Sequence, residues 1–240
     1  MELTWRVDAP ATGDVNMQRD RADFTRIEEG VDTTPSLRVY GWSPPALSLG
    51  FHQDESLVDR EALRAAGFDL VRRPTGGAAV LHHDEITYCV CAPLGVPGLG
   101  RGVEEIHAGI AGALVHALAD HGIEARLGGG GRPEGFACFG AAGGHEITVA
   151  GRKLVGSALR RGRRAFLQHG SLLRGEGHLR LGEFLRADPR ARDPLEDPRW
   201  LRRRTVTLGE VGHPDLDALS FGERLAVRLA ERVGATARAV

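Results

Sequence analysis

Cys138 and Lys153 are the two residues of this chain whose chemistry stands apart from their surroundings. Cys138 comes shortly after a run of four glycines, Gly128 to Gly131, in a loop-like stretch. Lys153 is the only lysine among 31 basic side chains. Its flexible ammonium, whose pKa can be moved, is not interchangeable with the guanidinium used everywhere else. A cysteine is nucleophilic as its thiolate, and a neighbouring cation favours that form. Lys153 beside Cys138 would supply the cation, and would move protons as an incoming amine attacks. Just downstream, Gly156-Ser157-Ala158 offers small side chains where a backbone could approach a ligand closely.

A second group lies upstream. Arg72-Arg73-Pro74-Thr75-Gly76-Gly77 ends a strand and turns, exposing backbone N–H groups next to two arginines, a combination that suits a carboxylate or phosphate. The GxxxxGK[ST] phosphate loop is absent. Backbone N–H groups near Gly76-Gly77 or Gly156-Ser157 are candidate oxyanion donors, with His82, His83 and His169 as further ones. Cys89 and Cys91 alternate onto one face of a strand over 86–91, with Tyr88 and Val90 on the other. That spacing indicates core packing. A metal site built from them with His82 and His83 lacks a second well-spaced ligand pair, so no metal is expected.

These residues need a frame. The pattern predicts helices over 14–29 (capped by Asp14), 55–66, 103–121, 181–186 and 215–233. In the long helix Val103, Ile106, Ile110, Leu114 and Leu118 keep one stripe, running on to His121. In the last helix Leu216, Leu219, Leu225, Leu229 and Val233 are expected to face inward. Strands are predicted over 37–42, 46–51, 69–73, 86–91, 123–127, 146–150, 152–156 and 165–173, with 187–204 an exposed connection. Strands in runs with few helices between them imply an α+β fold with a mixed, largely antiparallel sheet, in one domain spanning 1–240 with its core at about 30–215. A net charge of −1 and 5% aromatic residues argue against nucleic-acid binding. Neither a secretory signal nor a membrane span is visible, so a cytoplasmic monomer is expected. The run Arg160-Arg161-Gly162-Arg163-Arg164 has the form of a hairpin tip, either simply solvated or suited to an acidic partner.

Four ordered blocks carry a resemblance. RRPTGGAAVLHHDEITY, beginning at Arg72, resembles the RRxTGG(R/G)AVxH signature of the lipoate–protein ligase A and octanoyltransferase family. GRKLVGSALRR followed by LQHGSLL, which holds His169 and Gly170, is similar to its second block, and NMQRDRADF and PSLRVYGWSPPALSLGFHQ to its opening. Ala78 departs from the usual Arg or Gly, and His83 stands where an Asp is frequent. The resemblance implies the fold shared with biotin protein ligases, an acyl tunnel, and no accessory C-terminal domain. It also implies membership of the cysteine-dependent octanoyltransferase branch, with Cys138-Phe139 at the place of the nucleophile. Members of that branch take octanoate from acyl carrier protein as a thioester and pass it to a lysine of a lipoyl domain (the glycine cleavage H protein or a 2-oxoacid dehydrogenase E2), with no cofactor. The alternatives are an ATP- and Mg-dependent lipoate ligase, an amidotransferase between lipoyl proteins, and a non-catalytic acyl-binding relative.

Overall fold

The computed structural model describes residues 1–128, 146–186 and 197–240. The strands are β1 (Glu2–Val7), β2 (Ser36–Tyr40), β3 (Ala46–Leu49), β4 (Asp69–Arg72), β5 (Val80–His82), β6 (Glu85–Pro93), β7 (Arg126–Leu127), β8 (Ile147–Val149), β9 (Arg152–Arg161), β10 (Ala165–Leu173) and β11 (Thr236–Ala239). The helices are α1 (Gly13–Glu28), α2 (Arg60–Ala65), α3 (Val103–Ala119), α4 (Pro198–Arg202) and α5 (Ala218–Val233). The larger sheet has the order β11-β1-β2-β6-β10-β9-β8-β7; a smaller one has the order β4-β3-β5. Pairing is parallel at β11-β1, β1-β2 and β3-β4 and antiparallel elsewhere, giving the expected mixed, largely antiparallel α+β fold.

Period-two patterning in the central strands decides what covers each face. Leu37 and Val39 of β2, and Ile86, Tyr88 and Val90 of β6, turn to the side carrying α3 and α5, where they pack with Ile106, Ile110, Leu114, Phe221, Leu225 and Leu229. The alternate residues Arg38, Tyr40, Thr87, Cys89 and Cys91 are also buried, and several lie against α1. The cysteines therefore share one face, as the alternation implied. Burial pushes both thiols above their ordinary pKa, so they stay protonated.

Local chemistry moves several boundaries. Thr12 caps α1 in place of Asp14, accepting from the Val15 N–H. The predicted helix over 55–66 splits into a 3-10 turn at Glu55–Leu57 and α2, because Asp59 accepts from the N–H groups of Glu61 and Ala62. Asp217 caps α5 three residues after its expected start, and Leu219 and Val103 are exposed, each on the first turn of its helix. His121 lies beyond α3, which ends at Ala119. The helix expected over 181–186 is a 3-10 segment, Glu176–Phe184. Within the stretch expected to be exposed, residues 197–204 include α4, whose Leu201 is fully buried. Strands β1, β5 and β11 were not foreseen.

His178, in the 3-10 segment, is 2% exposed, with Nε2 2.8 Å from the Thr205 hydroxyl. Burial pushes its pKa down to about 4 from 6.5. Below pH 6.5 the unfolded chain therefore binds a proton that the folded chain refuses. Stability present above that pH is lost as pH falls toward 4. The urea midpoint is expected to drop across this window, less steeply in His178→Gln. Identical slopes would assign the effect to another group.

Candidate active site

The face of the larger sheet opposite α3 and α5 opens into a narrow cleft that gathers residues of α1, β5, β9 and β10 around one space. Helix α1 contributes Met17, the strand-end region after β2 contributes Trp42, and β5 contributes Val80. On the opposite wall Gly156, Ser157 and Ala158 of β9 pair with Ser171, Gly170 and His169 of β10. Gly170 is required by close packing: a Cβ there would sit 2.6 Å from both the Gly156 carbonyl oxygen and the Tyr88 ring.

Two buried arms of hydrogen bonds meet at Arg73. In one, Asp20 accepts from His169 Nδ1 (3.0 Å), whose Nε2 lies 2.7 Å from the Thr75 hydroxyl, which accepts from Arg73 Nε (3.1 Å). In the other, Glu85 accepts from His82 Nδ1 (2.7 Å), whose Nε2 lies 2.7 Å from the Ser48 hydroxyl, which accepts from Arg73 Nη1 (3.1 Å). One proton assignment satisfies both: each imidazole is neutral, donates from Nδ1 to its carboxylate, and accepts from a hydroxyl at Nε2. Burial lowers the His169 pKa, consistent with that neutral form. Burial works to raise the pKa of Glu85, but His82, Thr87 and Ser171 outweigh it and hold the carboxylate below its usual range. Trp42 stacks on His82 at 4.0 Å and donates to Thr87. The polar lining is thus largely satisfied internally, and the wall it presents suits an apolar chain.

Arg73 has no N–H left for a substrate carboxylate or phosphate. Besides Thr75 and Ser48, it donates to the Ser48, Gly76 and Ala78 carbonyls at 3.1, 2.8 and 2.7 Å. It holds the Gly76–Ala78 loop in place. Arg72 points elsewhere and donates to the Gly50, Phe51 and Gln53 carbonyls. Thr75 is fully buried under the loop, and Gly77 takes φ +89°. His83, next to His82 in sequence, does not line this cleft: it packs edge-on against Phe68 and, with Asp84 and Arg174, lines an adjoining depression that shares Tyr40, Trp42 and His82 with the cleft. Tight packing couples the two loops, since a Cβ on Gly50 would lie 1.9 Å from the Gly77 carbonyl oxygen. Gly50→Ala is therefore expected to displace the Gly76–Gly77 loop and lower kcat/KM by about 10–100-fold, the scale of a 1 Å misplacement. Steady-state kinetics with a circular-dichroism control on the fold checks this; wild-type kinetics would show that the loop yields harmlessly.

Lys153 is 1% exposed on β9, three residues before Gly156, and ion-pairs with Glu146. Its strand starts from a tight turn in which Ala150 and Gly151 both take positive φ. Cys138 lies outside the described residues. The sequence reading missed Asp20, Arg38 and Glu85. A signal existed for Asp20: Asn16 and Asp20 occupy the stripe shared with Met17, Phe24 and Ile27, where apolar residues belong.

Residues 13–230 match the lipoyl protein ligase A/B catalytic domain. The chain belongs to that family. Among its relatives, octanoyltransferase LipM of Kyrpidia tusciae is 39% identical over 244 residues, covering 97% of this chain and 88% of that protein. Octanoyltransferase LipM of Symbiobacterium thermophilum is 42% identical over 184 residues, 72% of this chain and 66% of that protein. The family fold is seen in lipoate-protein ligase A bound with ATP (TM-score 0.79, 19% identity, all of this chain and 90% of that one). It is seen again in a bi-partite lipoate protein ligase from Thermoplasma acidophilum (TM-score 0.73, 20% identity, all of this chain and 86% of that one). Among the described residues no three His, Cys, Asp or Glu side chains are grouped to hold a metal ion, and no helix is long and apolar enough to cross a membrane.

Proposed function

We propose that this family member is an octanoyltransferase that moves an octanoyl group from an acyl carrier protein to a lysine of a lipoyl domain, through a thioester on Cys138. The observation that carries this reading is the 39% identity to an octanoyltransferase along 97% of the chain. The narrow cleft with a largely satisfied polar lining supports it as a place where an apolar acyl chain could enter. So does the burial of Cys89 and Cys91, whose raised pKa values unfit them as nucleophiles.

The Cys138 thiolate attacks the donor carbonyl, the bond to the carrier sulfur breaks, and the carrier leaves as its thiol after taking up a proton. The acceptor amine then attacks the new thioester. An amide forms, the bond to the Cys138 sulfur breaks, and the amine proton leaves through a base. Activation resides in the donor thioester, so neither ATP nor magnesium is consumed. Lys153 supplies positive charge for the thiolate and handles the proton of the attacking amine. Lys153→Arg keeps the charge and removes the readily transferred proton. It is expected to slow turnover by about 10²–10⁴-fold, the range of general acid–base contributions, with a urea midpoint measured alongside; wild-type turnover would rule out proton transfer by Lys153.

One experiment separates the chemistries. The protein is incubated with an apo lipoyl domain and one of three donors: octanoyl-acyl carrier protein, octanoate with ATP and magnesium, or an octanoylated lipoyl domain. The acceptor is then weighed. Product from the first donor alone is expected. Product that requires ATP would make the protein a ligase, and product from the third alone an amidotransferase.

A further inference from the structure

The turn between β9 and β10 carries Arg160, Arg161, Arg163 and Arg164, all exposed. Glu28 at the end of α1 lies close to them, but its carboxylate oxygens accept from backbone and, among the described residues, form no direct ion pair with a guanidinium. It accepts from the N–H groups of Arg163, Arg164 and Ala165 at 2.8, 2.9 and 2.8 Å. Burial works to raise the Glu28 pKa, and these three bonds, with the nearby positive charge of Arg163, outweigh it and lower it. The approach is close enough that a Cβ on Gly162 would lie 2.4 Å from that carboxylate. The tip is thereby pinned to α1 while the guanidinium groups project. Arg160 lies over the Phe24 ring at 4.8 Å, and Arg161 Nε donates to the Arg101 carbonyl, bringing a fifth arginine alongside. Among the described residues, none of the four hairpin arginines forms an ion pair with a carboxylate. The neighbouring acids Asp23 and Asp32 are already paired with Arg6 and Arg26, leaving Glu29 as the remaining acid at this end of α1.

In a chain of net charge −1, this is a concentrated positive surface joined to the cleft. Ala158 at the cleft and Arg160 lie two residues apart on one face of β9, and Met17 at the cleft and Phe24 under Arg160 lie on the same helix. Reach identifies the partner. From Ser157 to Gly162 the strand spans about 16 Å, at roughly 3.3 Å per residue. A lysine side chain is shorter than that span, so a partner whose contacts are confined to the tip reaches the cleft only if it carries its acyl thioester on a longer arm.

We propose that the Arg160–Arg164 tip, with Arg101, docks the acidic face of the protein that delivers the acyl thioester. This rests on the octanoyl-transfer reading. Clustered charge of this kind acts mainly on encounter and is screened by salt.

The test uses Arg160→Glu/Arg161→Glu/Arg163→Glu/Arg164→Glu and the milder Arg163→Gln/Arg164→Gln. Three quantities are read: binding of acyl carrier protein by fluorescence anisotropy, KM for octanoyl-acyl carrier protein, and acylation by octanoyl-coenzyme A. The quadruple variant is expected to weaken carrier binding and raise its KM at least tenfold, to flatten their salt dependence, and to leave acylation by the small thioester unchanged. The double variant should show a smaller change of the same kind. Unchanged carrier binding overturns the proposal, as does a rise in KM for the lipoyl domain instead. Equal loss with octanoyl-coenzyme A in both variants also overturns it. If the wild type transfers no octanoyl group, the functional reading fails, and the anisotropy measurement still decides the docking surface.

Discussion

Asp20→Ala is expected to destabilise the protein by about 3–5 kcal/mol, the usual result of removing one partner from a buried ion pair. Asp20 is fully buried and accepts from Arg38 Nη2 (2.6 Å), the Tyr40 hydroxyl (3.0 Å) and His169 Nδ1 (3.0 Å). Alanine leaves Arg38, itself 1% exposed, with Asp8 and Asn16 as its remaining side-chain partners. The Tyr40 hydroxyl and His169 Nδ1 lose their acceptor at the same time. The melting temperature should fall by about 6–20 °C, from a typical 2–4 °C per kcal/mol at this chain length. The effect has a pH signature. Burial alone would raise the Asp20 pKa, but His169 and Arg38 outweigh it and hold it at about 2, below the ordinary 3.8. Its stabilisation is therefore complete above pH 4 and is lost as pH falls through about 2. Wild-type and Asp20→Ala stability should converge over that interval. A constant gap down to pH 2 would show that lost packing, and not the charge, carries the difference. The release of His169 should also slacken the Thr75–Arg73 arm, so residual activity at a permissive temperature is expected to fall with it.

Cys138→Ala is expected to reduce octanoyl transfer by at least about 10⁴-fold, the scale on which an acyl-transfer enzyme loses its nucleophile. The acceptor amine would otherwise have to attack while the carrier still occupies the cleft mouth, and nothing would hold the acyl group between the two partners. Cys138→Ser should fail as well, because a neighbouring positive charge that favours a thiolate does not ionise a serine hydroxyl at neutral pH. Cys91→Ala serves as the control. Its buried thiol packs in the core beside Cys89 and should be dispensable for transfer. Retention of more than a tenth of wild-type transfer in Cys138→Ala would reject the thioester route.

The elements whose residues interact locally were legible in the sequence. Strand β10 was found to the residue, because its boundaries are set by its own pattern and by the arginine-rich turn before it. The alternation in β6 assigned Cys89 and Cys91 to one face. Residues governed by partners far along the chain were hidden. Strand β1 pairs with β11 more than 230 residues away, and neither segment carries a pattern strong enough to announce itself. Arg73 and Thr75 belong to a motif whose local pattern leaves their partners unspecified. Their motif reads as an anion cradle, while the fold surrounds Arg73 with carbonyls and hydroxyls from β3 and its own loop. His82 and His83 were equivalent in sequence. Only His82, the last residue of β5, reaches the cleft; both border the adjoining depression, and the turn at Asp84, with φ +58°, follows them. Asp20 and Glu85 mattered most among the omissions, because a carboxylate gains meaning only from the imidazole that tertiary packing brings to it.

The central claim is a covalent acyl-enzyme on Cys138, and the intact mass of the protein after brief mixing with octanoyl-acyl carrier protein tests it most directly. The expected result is a gain of one octanoyl group, mapped by peptide analysis to Cys138, absent from Cys138→Ala, and discharged when apo lipoyl domain is added. Transfer to the lipoyl domain with no mass gain on the enzyme, or with the adduct on another residue, would contradict the account.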